Sequence, residues 1–218
     1  NELLRNEEKD LVNVIIKEAE VKSVFNMETP KTEAEIMDYL LNIKDGADIL
    51  DLYSGEGKIE EVLLKNHKNI KVDGFELNDG ALEIAKLKMY ALKNDSVQYF
   101  KKDILLDNIE KKYQYAVADI PFISRFDKEV QKKLEKACID LNIKLSGRIT
   151  IIKILSSLKS NGRAVITTMK GSLFNTLDRE IRKELVGSGY IEAIIDLPLK
   201  IVPYTNTEIS LIVLNKSK

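Results

Sequence analysis

Acidic residues stand at or near the ends of four short apolar runs in this chain. They are Asp51, Glu76, Asp103 and Asp119. The fourth run, YAVADIPF, is unusual for a buried strand because it ends in an acid, a β-branched residue, a proline and an aromatic residue. A carboxylate costs several kcal/mol to bury without a partner, so packing alone does not explain these four acids. A cationic or hydroxyl-rich ligand would explain them.

A turn with two glycines follows the first of these runs. In ILDLYSGEGKIEEVL, Gly55 and Gly57 separate a strand from a helix predicted to begin at Lys58. Glycine lets the backbone approach a ligand closely, and the first turn of a helix offers free N–H groups. The turn lacks the third glycine of the dinucleotide fingerprint and the Gly-Lys-Ser/Thr of a phosphate-binding loop. Glu76 follows about 20 residues on, where a carboxylate can accept hydrogen bonds from two ribose hydroxyls.

Two alternating periodicities describe the elements that must position these acids. The pattern predicts helices over 3–21, 32–43, 58–66, 78–93, 128–142, 147–159 and 173–187, and strands over 47–53, 70–76, 97–100, 115–119, 163–168, 191–197 and 208–215. Helices between successive strands build a parallel sheet, and the closely spaced last two strands indicate one reversal. We therefore predict an α/β fold with a doubly wound, mostly parallel seven-stranded sheet and one reversed strand at or beside its edge. Ligands of such sheets bind at the carboxyl ends of the strands.

Composition narrows the class of protein. The 218 residues are 44% hydrophobic and carry a formal net charge of −1, from 34 Lys and Arg against 35 Asp and Glu. This balance does not by itself indicate a nucleic-acid-binding domain. No apolar run approaches the roughly 20 residues that span a bilayer, so we expect a cytoplasmic protein without a membrane partner. Cys138 is expected on a buried helix face and His67 in a solvated loop, and no residue pattern predicts a metal site.

Several segments resemble one enzyme family. DLYSGEGKI, GFELN, KKD and ADIPF look like the cofactor and catalytic motifs of class I S-adenosylmethionine-dependent methyltransferases, and ADIPF resembles the Asn/Asp-Pro-Pro-Tyr/Phe motif of the amino-group methylases. METPKTEAEIMDYLL, together with residues 161–216, resembles the catalytic domain of modification subunits of type I restriction systems. The resemblance covers roughly residues 25 to 216. It divides the chain into an N-terminal helical extension, 1–24, and a methyltransferase domain, 25–218.

The resemblance implies methyl transfer from S-adenosylmethionine to the N6 amino group of adenine in DNA. The Asp119 side chain and the Ile120 carbonyl would hold the target amine, Pro121 would fix the backbone and Phe122 would stack on the base. The adenine would have to be flipped out of the duplex to reach them. A specificity subunit and a restriction subunit are the partners that this resemblance suggests.

The resemblance also assigns a set of cofactor residues. Asp51 would face the methionine ammonium group, Gly55 and Gly57 would pass beneath the cofactor, and Glu76 would hold the ribose hydroxyls. The other candidate contacts are Thr29 and Pro30 over the methionine end, Asp103 at the adenine amino group, Ile104 and Phe75 on the adenine ring, and the neighbouring Tyr53, Ser54 and Leu77. Structural alternatives are a simple turn before a helix for Thr29, the core for Phe75 and a helix cap for Asp103.

The chain departs from the family pattern at three positions, and these leave alternatives open. Asp119 stands where most modification subunits have Asn, and it is an acceptor-only side chain found in other amino methylases. Lys58 replaces a small residue near a positively charged cofactor, so it is expected to weaken cofactor binding. Ile120 replaces the first proline of the tetrad, which leaves the backbone less rigid. One alternative is therefore a non-catalytic binding module that keeps the fold. Another is a methyltransferase acting on RNA or on a protein glutamine.

Overall fold

A computed structural model describes residues 10, 13, 14, 28–104, 106–121, 146–176, 179–202 and 206–217. Phe122 and Cys138 lie outside these ranges, as do the helix predicted over 128–142 and most of the one predicted over 3–21. Five helices of the described chain are α1 Lys31–Leu41, α2 Lys58–Asn66, α3 Asp79–Leu92, α4 Ser146–Ser157 and α5 Arg179–Gly187. The strands are β1 Asp48–Asp51, β2 Lys71–Glu76, β3 Val97–Lys101, β4 Tyr113–Ala118, β5 Leu158–Met169, β6 Ile191–Asp196 and β7 Ile209–Asn215.

The seven strands form one sheet in the order β3-β2-β1-β4-β5-β7-β6. β1 pairs in parallel with both β2 and β4, and β7 pairs antiparallel with both β5 and β6. The predicted doubly wound sheet is therefore confirmed, and its reversed strand lies beside the edge. The strand order reverses at β1, so the crevice expected to hold a ligand opens at the carboxyl ends of β1 and β4.

Two elements differ from the prediction. β5 begins at Leu158, so it takes in residues that were assigned to a helix ending at 159. The helix predicted over 173–187 is replaced by a 3-10 helix, Lys170–Leu173, and by α5. At the start of β5, the pairing with β4 overrides the local helical pattern. Within the described chain, no helix combines the length and the apolar character needed to cross a membrane.

The core lies on both faces of the sheet. On one face, α1 and α2 pack on Ile49, Val117 and their neighbours, and on the other face α4 and α5 cover Leu50 and Ala116. The apolar run of β4 is buried throughout because helices cover both of its faces. This burial fixes the carboxyl end of β4, and with it the position of Asp119.

His67 is not the solvated loop residue that its sequence context predicts. It follows α2, and its Nε2 atom lies 2.6 Å from Oδ1 of Asp38 on α1. The other Asp38 oxygen accepts a hydrogen bond of 2.7 Å from Asn66 Nδ2. The prediction was wrong because the partner comes from another helix, which a local pattern does not reveal.

The buried centre of the sheet gives a direct test of the packing. Leu50 is fully buried, and Leu50→Ala removes its contacts with the α4 side of the core. We expect the free energy of unfolding to fall by about 2–5 kcal/mol, as for other large-to-small core changes. Urea denaturation measures this change, with Leu199→Ala as the control because the Leu199 side chain is 66% exposed. Equal losses in both variants would contradict the assignment of Leu50 to the core.

Candidate functional site

The segments carrying the predicted site residues meet at the carboxyl ends of β1, β2 and β4. The turn after β1 is joined to β4 by a hydrogen bond from Leu52 N to Val117 O, and to β2 by one from Ser54 N to Phe75 O. Residues 28–30, which we call the strap, reach the same place from before α1. The three acids Asp51, Glu76 and Asp119 lie close enough for their charges to interact.

Asp51 is buried at the end of β1. Its Oδ1 atom accepts a hydrogen bond of 3.0 Å from Tyr53 N, whereas its Oδ2 atom has no partner among the described residues. Burial raises the pKa of the Asp51 carboxyl to about 8, against the effect of the Tyr53 N–H, and the charges of Asp119 and Glu76 raise it further. A buried carboxyl with an unpaired oxygen is suited to a cation or a hydrogen-bond donor.

The turn depends on its two glycines. Gly55 and Gly57 have φ values of 52° and 84°, in the left-handed region that glycine occupies without strain. Gly57 N donates to Ser54 O at 2.8 Å and closes the turn. A Cβ atom on Gly57 would lie 2.7 Å from Tyr99 Oη, so the turn has no room for a larger residue there. The turn therefore follows a backbone path that larger residues would not adopt without strain.

The Glu76 side chain accepts hydrogen bonds from two segments of the backbone, the residues that follow it and the glycine turn. Its Oε1 atom accepts hydrogen bonds from Leu77 N at 2.8 Å and Asn78 N at 2.7 Å, and its Oε2 atom accepts one from Gly55 N at 3.1 Å. A carboxylate has about four acceptor positions, so these bonds leave capacity on Oε2 for a hydroxyl group. Glu76 thus also anchors the glycine turn, a role that sequence reasoning missed.

Asp119 is half-buried just beyond β4 and accepts two hydroxyl hydrogen bonds. Thr29 of the strap donates to Oδ2 at 2.7 Å, and Thr167 of β5 donates to Oδ1 at 3.0 Å. Burial raises the pKa of the Asp119 carboxyl, and the two hydroxyl donors oppose that shift. Thr167 Oγ1 also accepts from Ile120 N at 2.7 Å. The carboxylate and the following peptide are thereby fixed together, and Ile120 itself is buried in the core.

The candidate residues for the adenine end of the cofactor lie on the neighbouring strand ends. Asp103 N donates to Asp107 Oδ2 at 2.9 Å and Asp103 O accepts from Asp107 N at 2.7 Å, so Asp103 begins a local turn. The charges of Asp103 and Glu76 both raise the pKa of Tyr53, after the larger effect of burial, which places these acids near one another. Phe75 and Ile104 belong to one core cluster. Leu77 is 56% exposed.

Two buried acids at this site were missed by sequence reasoning. Glu33 on α1 and Glu60 on α2 are fully buried, and neither has a hydrogen-bond partner among the described residues. Burial, and then the charge of Asp119, raises the pKa of Glu33 to about 8. Burial, and then the charge of Asp51, raises the pKa of Glu60. Glu33 falls on the apolar stripe with Met37 and Leu41, which is the signal that could have revealed it.

Glu60 lies under the glycine turn, next to β2 and β3. A Cβ atom on Gly74 would lie 2.9 Å from Glu60 Oε1 and 2.8 Å from the ring of Tyr99. The described residues contain no group of three His, Cys, Asp or Glu side chains placed to hold a metal ion. The free oxygen of the buried Asp51 carboxyl could accept an ammonium group, and the remaining capacity of Glu76 Oε2 could accept a hydroxyl group.

Comparison with known proteins places this chain in a family. The sequence model of the N-6 DNA Methylase family matches residues 15–218. The release factor glutamine methyltransferase of Buchnera aphidicola subsp. Acyrthosiphon pisum (strain APS) is 33% identical over 130 residues, which are 57% of this chain and 47% of that protein. The chain thus spans about half the length of this curated relative.

Solved structures share the fold over nearly the whole chain. A Listeria monocytogenes protein assigned to the class I S-adenosylmethionine-dependent methyltransferases superposes with a TM-score of 0.76 at 16% identity, over 98% of this chain and 69% of that one. The methyltransferase subunit of the type I restriction-modification system of Streptococcus thermophilus gives 0.73 at 19% identity, over 87% of this chain and 45% of that one.

The family match extends over most of the 218 residues, and the strand order places the acids at one crevice. The fold and the family together imply S-adenosylmethionine as the cofactor. The chain belongs to the N-6 DNA Methylase family.

Proposed function

We propose that this domain transfers a methyl group from S-adenosylmethionine to the N6 amino group of adenine in DNA, within a type I restriction-modification assembly. The observation that carries this proposal is Asp119, a half-buried carboxylate fixed by two hydroxyls just beyond β4 and followed by Ile120 and Pro121. The family match and the resemblance to modification subunits support DNA as the substrate.

The chemistry of an aromatic amine explains why an acceptor is needed here. The lone pair of the adenine amino group is delocalised into the ring, so the nitrogen is a poor nucleophile. Asp119 and the Ile120 carbonyl accept its hydrogens and draw the nitrogen towards tetrahedral geometry. Thr29 and Thr167 keep the carboxylate in one orientation, so little reorganisation is needed during the reaction.

The residues present fit the cofactor along its length. Asp51 offers its free oxygen to the α-ammonium group, Glu76 offers its remaining acceptor position to a ribose hydroxyl, and Thr29 with Pro30 covers the methionine end. At the adenine end we assign Asp103, Ile104 and Leu77. When bound, the cofactor supplies a methyl group that its sulfonium makes electrophilic.

DNA would be held by other parts of the assembly. A base inside a duplex does not reach a crevice at the end of β4, so the adenine must be flipped out, and Phe122 is assigned to stack on it. Choice of the DNA sequence belongs to a specificity subunit, because contacts to base edges carry sequence information. A restriction subunit would complete the assembly.

A protein glutamine is the second candidate substrate. The identity of 33% to a release factor glutamine methyltransferase favours it. An amide nitrogen has the same problem of a delocalised lone pair, and the acceptors at Asp119 and Ile120 would serve it equally. The two functions share the cofactor and differ only in the acceptor.

The Asp119→Ala variant tests the catalytic assignment. We expect the turnover rate to fall by about 100-fold or more while the cofactor dissociation constant changes little, because the carboxylate acts on the transition state. Transfer of a radiolabelled methyl group to DNA, RNA and protein glutamine is measured separately, with the cognate specificity subunit present. Glu180→Ala is the control and should keep the rate, because Glu180 pairs with Lys183 on the exposed surface. Wild-type turnover in Asp119→Ala would show that this strand end is structural.

The Glu76→Ala variant tests the cofactor site. Loss of a charged partner of the ribose should weaken binding of S-adenosylmethionine by about 1–3 kcal/mol. Isothermal titration calorimetry measures this, with Asp79→Ala as the control because Asp79 pairs with Lys101 on the exposed surface. Unchanged affinity in Glu76→Ala would remove Glu76 from the cofactor site.

The buried acids predict a pH-dependent stability. Asp51 and Glu33 have pKa values of about 8 in the folded protein, against 3.8 and 4.5 as ordinary values. The folded state therefore binds more protons than the unfolded state between about pH 4 and pH 8, and stability falls as the pH rises through this range. A bound cation reduces this loss of stability, because it compensates the charge of the ionised acids. Thermal unfolding should thus show a larger stabilisation by S-adenosylmethionine near the upper end of the range than near its middle.

The Glu33→Gln variant is the control for this pH dependence. It keeps the size of the side chain and removes its titration, so the fall in stability with pH should become shallower. The same pH dependence in wild type and in a Glu33→Gln, Asp51→Asn variant would contradict the assignment to these acids.

A further inference from the structure

Lys58 is the residue that sequence comparison suggests would oppose a positively charged cofactor. In the structure its charge is balanced. Its Nζ atom lies 3.2 Å from Oε1 of Glu28 and 3.1 Å from Oε2 of Glu61. Glu28 is the first residue of the strap, so this pair joins the strap to the beginning of α2.

A second lysine completes the same group. Lys88 Nζ, from α3, lies 2.9 Å from Glu28 Oε1 and 3.5 Å from Glu61 Oε1. We call Glu28, Lys58, Glu61 and Lys88 the ion cluster. The side chain of Lys88 is only 5% exposed and that of Lys58 is 21% exposed. Burial tends to raise the pKa of Glu28, but the two lysines outweigh it and lower that pKa.

Such a cluster differs from an isolated surface pair. Exposed ion pairs contribute little to stability, because water and salt screen them. Removing one partner of a buried pair is costly, since the remaining charge is left without compensation. Lys88 is the most buried charge of the ion cluster, and Glu28 is the nearer of its two carboxylates in that cluster.

The position of Glu28 connects the cluster to the reacting group. The next residue, Thr29, donates to Asp119 at 2.7 Å, and Pro30 immediately precedes α1. The strap is therefore held at one end by the ion cluster and at the other by α1, and the hydrogen bond to Asp119 lies between these two attachments.

We propose that Glu28 is a positioning residue, which holds the strap closed over the methionine end of the cofactor and keeps Thr29 on Asp119. This inference rests on the proposed function of Thr29, Pro30 and Asp119. It also accounts for Lys58, because the carboxylate of Glu28 cancels a charge that would otherwise face the sulfonium. Glu28 and Lys58 then balance each other's charge, together with Glu61.

The Glu28→Gln variant separates the positioning of the strap from the balancing of the Lys58 charge. It removes the charge of Glu28 and keeps the shape of the side chain, so the ion cluster loses one of its two carboxylates. Binding of S-adenosylmethionine should weaken by about tenfold, as for a partly buried ion pair. Its demethylated product carries no sulfonium charge and should lose less. Replacing Lys58 by Met in the Glu28→Gln background should restore the wild-type ratio of the two affinities.

Calorimetry with both ligands measures these affinities, and hydrogen exchange of the first turn of α1 reports on the strap without any ligand. Glu180→Gln is the matched control, because Glu180 pairs with Lys183 on the exposed surface of α5. Faster exchange and a changed affinity ratio in Glu28→Gln alone support the proposal. If wild type binds both ligands, and Glu28→Gln has the same affinity ratio and the same hydrogen-exchange rate, Glu28 has no positioning role. The proposed function stands in that case. If wild type binds neither ligand, the proposed function fails.

Discussion

The hydrogen bonds to the Asp119 carboxylate determine how the rest of the site is arranged. A carboxylate at the end of a buried strand needs donors, and the two that it has are hydroxyl groups from distant parts of the chain. Thr29 lies 90 residues before Asp119 and Thr167 lies 48 residues after it. The sheet order makes this meeting possible, because β5 is the neighbour of β4 and the strap crosses the ends of the same strands. The acceptor geometry proposed for methyl transfer is thus a property of the whole fold.

The crevice contains buried acids that would stabilise a bound cation but do not stabilise the protein when no ligand is bound. Glu33, Asp51 and Glu60 are buried, and each has at least one carboxyl oxygen without a partner among the described residues. A packed apolar residue at these places would favour folding more. Burial raises the pKa of each acid, and the charge of Asp119 at Glu33 and Asp51 and that of Asp51 at Glu60 raise it further, so protonation relieves part of the cost when no cation is bound. A binding site that is arranged to hold a charged ligand usually lowers the stability of the free protein.

The sequence predicted the sheet and the acids at its strand ends, because hydrophobic periodicity and turn residues are local signals. Asp51, Glu76 and Asp119 are found together as predicted, since parallel strands bring their carboxyl ends to one edge. Thr167 was not predicted, because a threonine within an apolar strand has no mark that distinguishes a partner of Asp119 from a packed residue. The ion pair of Lys58 with Glu28 was equally hidden, since Glu28 precedes Lys58 by 30 residues. Contacts between residues that are distant in the sequence can be identified only once the fold is known.

One contact under the glycine turn links three positions of the chain. Tyr99 stands opposite Gly74 in the pairing of β2 with β3, and its ring and hydroxyl occupy the space that a Cβ atom would need at Gly74 and at Gly57. Gly57 must stay glycine for its backbone angle as well, whereas Gly74 has no such requirement. In the divergence of related sequences, a larger residue at position 74 therefore requires both the Tyr99 ring and the Glu60 side chain to move or to become smaller. A smaller residue at position 99 alone would leave the contact with Glu60 Oε1 in place, so positions 60, 74 and 99 are expected to change together.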